Sequence, residues 1–227
     1  MALGAPERSV SFCVPSGNFG DAFAGYVAHR MGLPIGRIVV ATNSNDILAR
    51  AFQTGRYARG VVQPTISPAM DIQSASNFER LYFESVERAP DETARAFTAF
   101  AETGAIDLPP NARAAMAGLF EGVAIGEAET ARTIVSTLNE TGELVDPHTA
   151  VALAALTHVK IEGPVVVLST AHAAKFPEDV ARISGAAPAL PRGVASLADR
   201  PERFDRLPAE AETIKAYVRA FAEGQGS

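Results

Sequence analysis

The stretch Ser16-Gly17-Asn18-Phe19-Gly20-Asp21 has the residue types and the setting of an anion-binding turn. The apolar stretch at 10–14 before it predicts a buried strand, and the apolar residues at 23–31 after it recur at helical spacing. A turn between a strand and a helix leaves backbone N–H groups without intrahelical partners, and the helix dipole adds partial positive charge there. Glycines let a ligand come close to the backbone. The order of strand, glycine turn and helix therefore predicts a site for a phosphate-like anion.

The spacing of this turn excludes two other phosphate-binding loops. The dinucleotide-binding pattern G-x-G-x-x-G needs a third glycine, whereas this chain has Gly17-x-x-Gly20. The P-loop needs a Gly-Lys pair followed by Ser or Thr, and none follows here. The alternative interpretation is an ordinary turn between a strand and a helix, in which glycine serves only the backbone angles.

A second polar strand end lies at Ser169-Thr170-Ala171-His172, directly after an apolar run at 164–168. Ligands of open α/β sheets bind at the carboxyl ends of the strands, so the two polar ends should face one crevice if their strands are neighbours. The first would supply an anion cradle, and the second would supply hydroxyls that can hydrogen-bond a heteroaromatic nitrogen.

The four histidines lie too far apart in sequence for a short metal-binding cluster, so no metal site is predicted.

A parallel sheet is needed to position these strand ends. A second apolar strand at 37–42 follows the first helical pattern, and Asn43-Ser44-Asn45-Asp46 then supplies helix-capping chemistry for a helix that runs to residue 52. Strand, helix, strand and helix at this spacing predict a βαβ unit with parallel strands. The predicted fold class is therefore α/β, a parallel sheet with flanking helices plus a helical insertion.

The chain divides into three predicted segments. Residues 1–73 form the α/β segment that carries the anion turn. Residues 74–144 show four amphipathic helical patterns and no strand signal, which predicts a helical insertion. Residues 145–227 return to the α/β domain, with a buried strand at 164–169 and a terminal helix at 209–222.

Composition excludes several classes of partner. The chain has 20 basic and 26 acidic residues, a net charge of −6, and no cluster of Lys and Arg larger than a pair, which argues against nucleic acid. No apolar stretch approaches the length of a membrane span, and no signal peptide is evident. The single cysteine, Cys13, lies in the apolar strand and is predicted to be a buried packing residue. We expect a soluble, cytoplasmic protein.

Five motifs in order resemble the carboxy-terminal half of the threonine synthase family. They are VPSGNFGDAFAGYVAHRMGLP, ATNSNDIL, SPAMDIQSASNFERL, DPHTAVA and LSTAHAAKF. The resemblance covers residues 3–185 and is weaker through the helical insert. It implies part of the large domain of a fold-type II enzyme that uses pyridoxal 5′-phosphate to convert O-phospho-L-homoserine and water to L-threonine and phosphate.

The resemblance also implies roles for individual residues. The turn would cradle the coenzyme phosphate, and the hydroxyl of Thr170 would meet the pyridine nitrogen. Two further motifs suggest residues on the substrate side. The implied cofactor-binding residues are Gly17, Asn18, Phe19, Gly20, Asp21 and Thr170, and the implied substrate-side residues are Asn43, Asn45, Asp46, Ser76, Asn77 and Arg80.

This sequence departs from the family pattern at two points. Ala173 stands where the family usually has proline, a tolerable local change. The family's Schiff-base lysine belongs to an amino-terminal segment that is absent here, and Lys160, Lys175 and Lys215 all lie in other contexts. We therefore expect a piece of a longer enzyme that has no catalytic residue of its own and is inactive alone. Its expected partner is the missing amino-terminal portion, or a second copy of itself.

Two other hypotheses stay open from the sequence. The chain could be a piece of a different fold-type II lyase or dehydratase, although the D-P-H-T-A and L-S-T-A-H motifs argue against this. It could also be a non-catalytic module that binds phosphate or pyridoxal phosphate and works through a partner chain.

Overall fold

The computed structural model describes residues 3–194 and 200–224. The chain forms two compact units, Met1–Ala189 and Leu190–Ser227. The first unit is an α/β domain with a parallel sheet and flanking helices, which confirms the predicted fold class. Within these two described ranges, no helix combines the length and the apolar character needed to cross a bilayer.

The strands of the described residues form one parallel sheet and one short antiparallel pair. They are β1 (Val10–Pro15), β2 (Ile35–Thr42), β3 (Arg56–Ala58), β4 (Ala105–Asp107), β5 (Phe120–Ala124) and β6 (Val165–Val167). The main sheet has the order β5-β2-β1-β6, and β3 pairs with β4. Because β1 and β6 are parallel neighbours, with Cys13 opposite Val167, the residues that follow both strands lie at the same edge of the sheet.

Nine α-helices lie within the described ranges. They are α1 (Gly20–Arg30), α2 (Ile47–Thr54), α3 (Phe78–Ser85), α4 (Pro90–Thr103), α5 (Pro110–Ala117), α6 (Glu127–Thr141), α7 (Pro147–Ala155), α8 (Pro177–Ser184) and α9 (Ala211–Ala222). Short 3-10 turns occur at Pro68–Met70, Leu156–His158 and Ala173–Lys175. The terminal helix α9 matches the predicted helix within two residues, and it belongs to the second unit. Residues 195–199 of the predicted third segment lie outside the described residues.

Alternating residues of the central strands build two apolar clusters, as the two-residue period of a strand requires. On one face, Val14 and Val40 pack into a cluster that contains Phe19. On the other face, Cys13 and Val39 pack with α7, eight of whose nine residues are buried. The position of Cys13 is that of the packing residue the sequence predicted.

The prediction of a segment 74–144 without strands is wrong. Strand β5 lies inside this segment and pairs with β2 in the main sheet, and β4 pairs with β3. Helix α5 ends at Ala117, and Gly118 follows it before β5 begins. The strand that follows contains Gly122, which has a low β-propensity, so its strand conformation depends on pairing and packing with distant residues.

The strand at 164–169 was predicted to be buried, and this is also wrong. All three residues of β6 are only partly buried. Among the described residues, β6 pairs with β1 and has no strand on its other side, which leaves it at the edge of the sheet. An apolar run therefore identified the strand correctly but not its position in the sheet.

Gly122 lies where α2 packs closely against β5. A Cβ atom at residue 122 would lie 2.7 Å from the Cα of Ala49 and 2.9 Å from its carbonyl oxygen, and backbone atoms cannot rotate away. We expect Gly122→Ala to lower the free energy of unfolding by about 1–3 kcal/mol, measured by urea denaturation. Gly118→Ala is the matched control, because a Cβ there has no neighbour within 4 Å. Equal stabilities of the two variants would contradict the close approach.

Candidate functional site

The predicted anion turn lies where β1 leads into α1, and its shape depends on Phe19. Phe19 has φ 65°, in the left-handed region, and is the residue before the first turn of α1. Its side chain is fully buried, with ring centroids 5.6–5.9 Å from those of Phe52, Phe78 and Phe120. An aromatic residue in this conformation costs about 1–2 kcal/mol, which burial of its ring offsets. The ring thus anchors the turn from inside the core.

The backbone of the turn is rich in hydrogen-bond donors without acceptors. Among the described residues, none accepts a hydrogen bond from the backbone N–H groups of residues 17–22. No side chain caps α1, and the positive end of its dipole lies at the same place. Gly20 is exposed and Gly17 is partly exposed. This arrangement can bind an anion such as a phosphate group.

These residues border a cleft of about 260 Å³. Residues 15–21 form one side of it, Ala69 and Met70 form a wall, and His148, Thr170 and Lys175 are among the other lining residues. The structure therefore brings together all six residues that were predicted to bind the cofactor. The hydroxyl of Thr170 has no hydrogen-bond partner in the described part of the chain, and Thr170 is exposed.

Ser76 and Asn77, which the resemblance assigned to the substrate side, contact the turn itself. The backbone N–H and the side-chain amide of Asn77 donate to the carbonyl oxygen of Asn18, at 3.1 Å and 3.0 Å. The hydroxyl of Ser76 donates to Oδ1 of Asn18 at 3.4 Å. These bonds hold the turn in place from the start of α3. Arg80, on the same helix, is exposed.

Asn43 and Asn45 lie in a buried polar network. Both donate to Oδ1 of Asp71, at 2.8 Å and 3.0 Å, and Thr65 donates its backbone N–H to Oδ2 of the same carboxylate at 2.9 Å. The network fixes the loop at 63–71, which carries the wall of the cleft. The two amides are not among the residues that line the cleft. Asp46 precedes α2 and pairs with Arg50 at 2.7 Å, and its side chain does not cap the helix.

Asp146 and His148 form a buried pair at the cleft, which His148 also lines. The carboxylate of Asp146 accepts from the backbone N–H of His148 at 2.8 Å, from Nδ1 of its ring at 2.9 Å, and from the hydroxyl of Thr149. Burial raises the pKa of Asp146, but the hydrogen bonds from His148 and Thr149 outweigh this effect and hold the pKa below its usual value. Asp146 therefore stays ionised and caps α7, as the sequence predicted.

The lowered pKa of Asp146 predicts a pH dependence of stability. A carboxyl group with a depressed folded-state pKa stabilises the fold above its unfolded pKa, about 3.9, and loses this contribution as pH falls through the folded value. We expect the difference in unfolding free energy between the wild-type chain and Asp146→Asn to shrink below about pH 4. Urea unfolding at several pH values checks this. A difference that stays constant from neutral to acid pH would contradict it.

The thiol of Cys13 is not a candidate nucleophile. It is fully buried and donates to the carbonyl oxygen of Ala152 at 3.1 Å. Burial raises the pKa of Cys13 to about 12, so the thiolate is not populated at neutral pH. Within the described residues, no group of three or more His, Cys, Asp or Glu side chains is arranged to hold a metal ion.

Comparison with known proteins finds similarity to threonine synthases. A family model described as "Threonine synthase, C-terminal" matches residues 149–218. The threonine synthase of Pseudomonas aeruginosa is 43% identical over 221 residues, which cover 96% of this chain and 47% of that protein. This chain matches the carboxy-terminal half of threonine synthases. The threonine synthase of Corynebacterium glutamicum is 37% identical, with 93% of this chain and 46% of that protein covered.

Solved threonine synthase structures share the fold. The crystal structure of PLP-bound threonine synthase from Brucella melitensis superposes with a TM-score of 0.90 at 44% identity, covering 96% of this chain and 47% of that one. The yeast threonine synthase structure gives 0.83 at 30% identity, covering 97% and 49%. The chain therefore spans about half the length of the threonine synthases it matches.

Sequence reasoning did not find the residues that form the wall of the cleft. Ala69 and Met70 belong to a matched motif, but an alanine and a methionine give no chemical signal. Lys175 gives a signal only as a possible attachment site for the cofactor, and not as a residue that lines the cleft. The contact between His148 and Ala69 joins residues that are 79 apart in sequence, so spacing does not reveal it.

Proposed function

We propose that this chain supplies the coenzyme-binding part of a pyridoxal 5′-phosphate-dependent threonine synthase of fold-type II, a carbon–oxygen lyase of the cytoplasm. The reaction would convert O-phospho-L-homoserine and water to L-threonine and phosphate. The observation that carries the proposal is the run of backbone N–H groups at residues 17–22 that have no acceptor among the described residues, beside the cleft that Thr170 also lines. The similarity to threonine synthases over 96% of the chain supports it.

The residues of the cleft fit this coenzyme. The turn offers several N–H donors and a helix N-terminus to a phosphate dianion. Thr170 offers its hydroxyl, which has no partner within residues 3–194 and 200–224, to the pyridine nitrogen. A neutral hydroxyl leaves the ring less electron-withdrawing than an aspartate would. Lys175 adds a cation to the lining of the cleft. The bound coenzyme would act as an electron sink that makes the Cα and Cβ protons of the substrate acidic.

The chain's own residues would bind and orient the coenzyme, and the base would come from elsewhere. In this proposal, the lysine that attaches the coenzyme and moves protons belongs to polypeptide equivalent to the amino-terminal half of the relatives. The matches to threonine synthases favour this enzyme over other fold-type II lyases or dehydratases. Ser76 and Asn77 would act on the coenzyme side, by holding Asn18, and Asn43 and Asn45 would hold the loop at 63–71.

Pyridoxine 5′-phosphate tests the proposal, because it has the ring and the phosphate but no aldehyde to react with surface lysines. We expect calorimetry to show binding to the 227-residue chain, and we expect pyridoxine, without the phosphate, to bind at least about tenfold more weakly. Equal affinities for the two compounds would show that the turn does not hold the phosphate.

A glycine variant locates the binding at the turn. A Cβ atom at residue 17 would lie 2.8 Å from the carbonyl oxygen of Ala69 and 3.1 Å from the Cα of Met70, so the turn and the wall would have to separate. We expect Gly17→Ala to weaken binding of pyridoxine 5′-phosphate at least about tenfold. Gly118→Ala, with no neighbour within 4 Å of the new atom, is the matched control and should bind as the wild type does. Unchanged binding by Gly17→Ala would count against the site.

A further inference from the structure

The backbone N–H of Ala69, in the wall of the cleft, donates to Nε2 of His148 at 3.3 Å. On the other side of the ring, Nδ1 lies 2.9 Å from the ionised carboxylate of Asp146. A carboxylate only accepts and a backbone N–H only donates, so these two partners fix the ring in one form, with the proton on Nδ1 and a lone pair on Nε2. The side chains of Asp146 and His148 are 0% and 4% exposed. Water therefore has almost no access to either side chain and does not replace the hydrogen bond between them.

The position of Ala69 matters because the wall touches the anion turn. The carbonyl oxygen of Ala69 and the Cα of Met70 come so close to Gly17 that no Cβ fits between them. The Asp71 network holds the loop at 63–71 further along the chain. Ala69 lies in the 3-10 turn Pro68–Met70, and its hydrogen bond to His148 connects this turn to α7.

We propose that Asp146 and His148 are a positioning pair that sets the distance between the wall of the cleft and the anion turn. His148 acts as a hydrogen-bond acceptor for the Ala69 N–H and takes no part in proton transfer. Asp146 acts through His148, by holding the proton on Nδ1. This inference rests on the proposed function only for the identity of the ligand, because the position of the wall does not depend on which ligand binds.

Asp146→Leu should release the form of the ring. Leucine has a similar shape but no acceptor for the Nδ1 proton, so the form with the proton on Nε2 becomes available, and that proton would face the N–H of Ala69. We expect nitrogen NMR of the His148 ring to show the proton moved from Nδ1 to Nε2. We expect hydrogen exchange at the Ala69 amide to become about tenfold faster. A ring that keeps its bare Nε2, or an unchanged Ala69 exchange rate, would overturn the proposal.

Two substitutions of His148 separate positioning from proton transfer, and they also serve if Asp146→Leu does not fold. His148→Gln keeps an acceptor within reach of Ala69 but cannot titrate, whereas His148→Phe keeps a ring against Phe176 and has no acceptor. We expect His148→Gln to bind pyridoxine 5′-phosphate within about threefold of the wild type and His148→Phe to bind it about tenfold more weakly. Equal losses in the two variants would overturn the positioning role. Wild-type failure to bind this compound, with the ring and exchange results as expected, would refute the proposed function and support the positioning pair.

Discussion

Purified alone, the 227-residue chain is expected to make no threonine from O-phospho-L-homoserine, even with excess pyridoxal phosphate. Its lysines are Lys160, Lys175 and Lys215, and only Lys175 lines the cleft. Lys175 lies in the motif after β6, where the family resemblance places a different lysine from the one that holds the coenzyme. A positioned base contributes about 10²- to 10⁴-fold to proton transfer. Losing covalent attachment of the coenzyme removes the electron-sink route as well.

Three measurements on one sample check this expectation. They are an absorbance titration with pyridoxal phosphate, borohydride trapping followed by peptide mapping, and phosphate release from the substrate. The threonine synthase of Pseudomonas aeruginosa serves as the active control. The expectation is wrong if phosphate is released at an enzymatic rate, borohydride fixes the coenzyme to Lys175, and Lys175→Arg loses both the phosphate release and the trapped coenzyme. That result would show that the chain carries its own catalytic lysine.

The anion turn and its crevice could be predicted from sequence because their signals are local. A strand, a glycine turn and a helix follow one another within residues 10–31, and the second strand end at 164–172 has the same form. Parallel strands place both at the carboxyl edge of the sheet, but only the pairing of β1 with β6 in the structure makes them neighbours. The strand β5 could not be predicted in this way. Five residues that include Gly122 carry little strand preference, and the conformation depends on β2 and on the approach of Ala49.

The roles of the polar residues needed the fold, because the same residue types serve binding and scaffolding. Asn43 meets Asp71, which is 28 residues later, and Asn77 meets Asn18, which is 59 residues earlier. Neither partner can be identified from spacing. The sequence thus predicts an anion site at the end of β1, but it does not tell which side chains would face a ligand and which hold the loops around it.

The second large effect is expected at Phe19, where the core and the anion turn meet. Truncating a fully buried phenylalanine leaves a cavity, and here the ring contacts three other aromatic rings. We expect Phe19→Ala to lower the free energy of unfolding by about 3–5 kcal/mol in urea. Phe221→Ala is the matched control, because that ring is 66% exposed, and its effect should stay within about 0.5 kcal/mol. Similar losses at both positions would contradict the central place of Phe19.

A glycine at position 19 separates the free-energy cost of the left-handed backbone conformation from the loss of the buried ring. Phe19→Gly makes the cavity of Phe19→Ala slightly larger, but glycine adopts φ 65° without the steric cost that alanine has. We expect Phe19→Gly to be more stable than Phe19→Ala by about 0.5–1 kcal/mol, after its larger entropy loss on folding. The opposite order would mean that residue 19 leaves the left-handed region. Because Phe19 also lines the cleft with its backbone, both variants should bind pyridoxine 5′-phosphate more weakly than the wild type, and the glycine variant should retain more of the affinity.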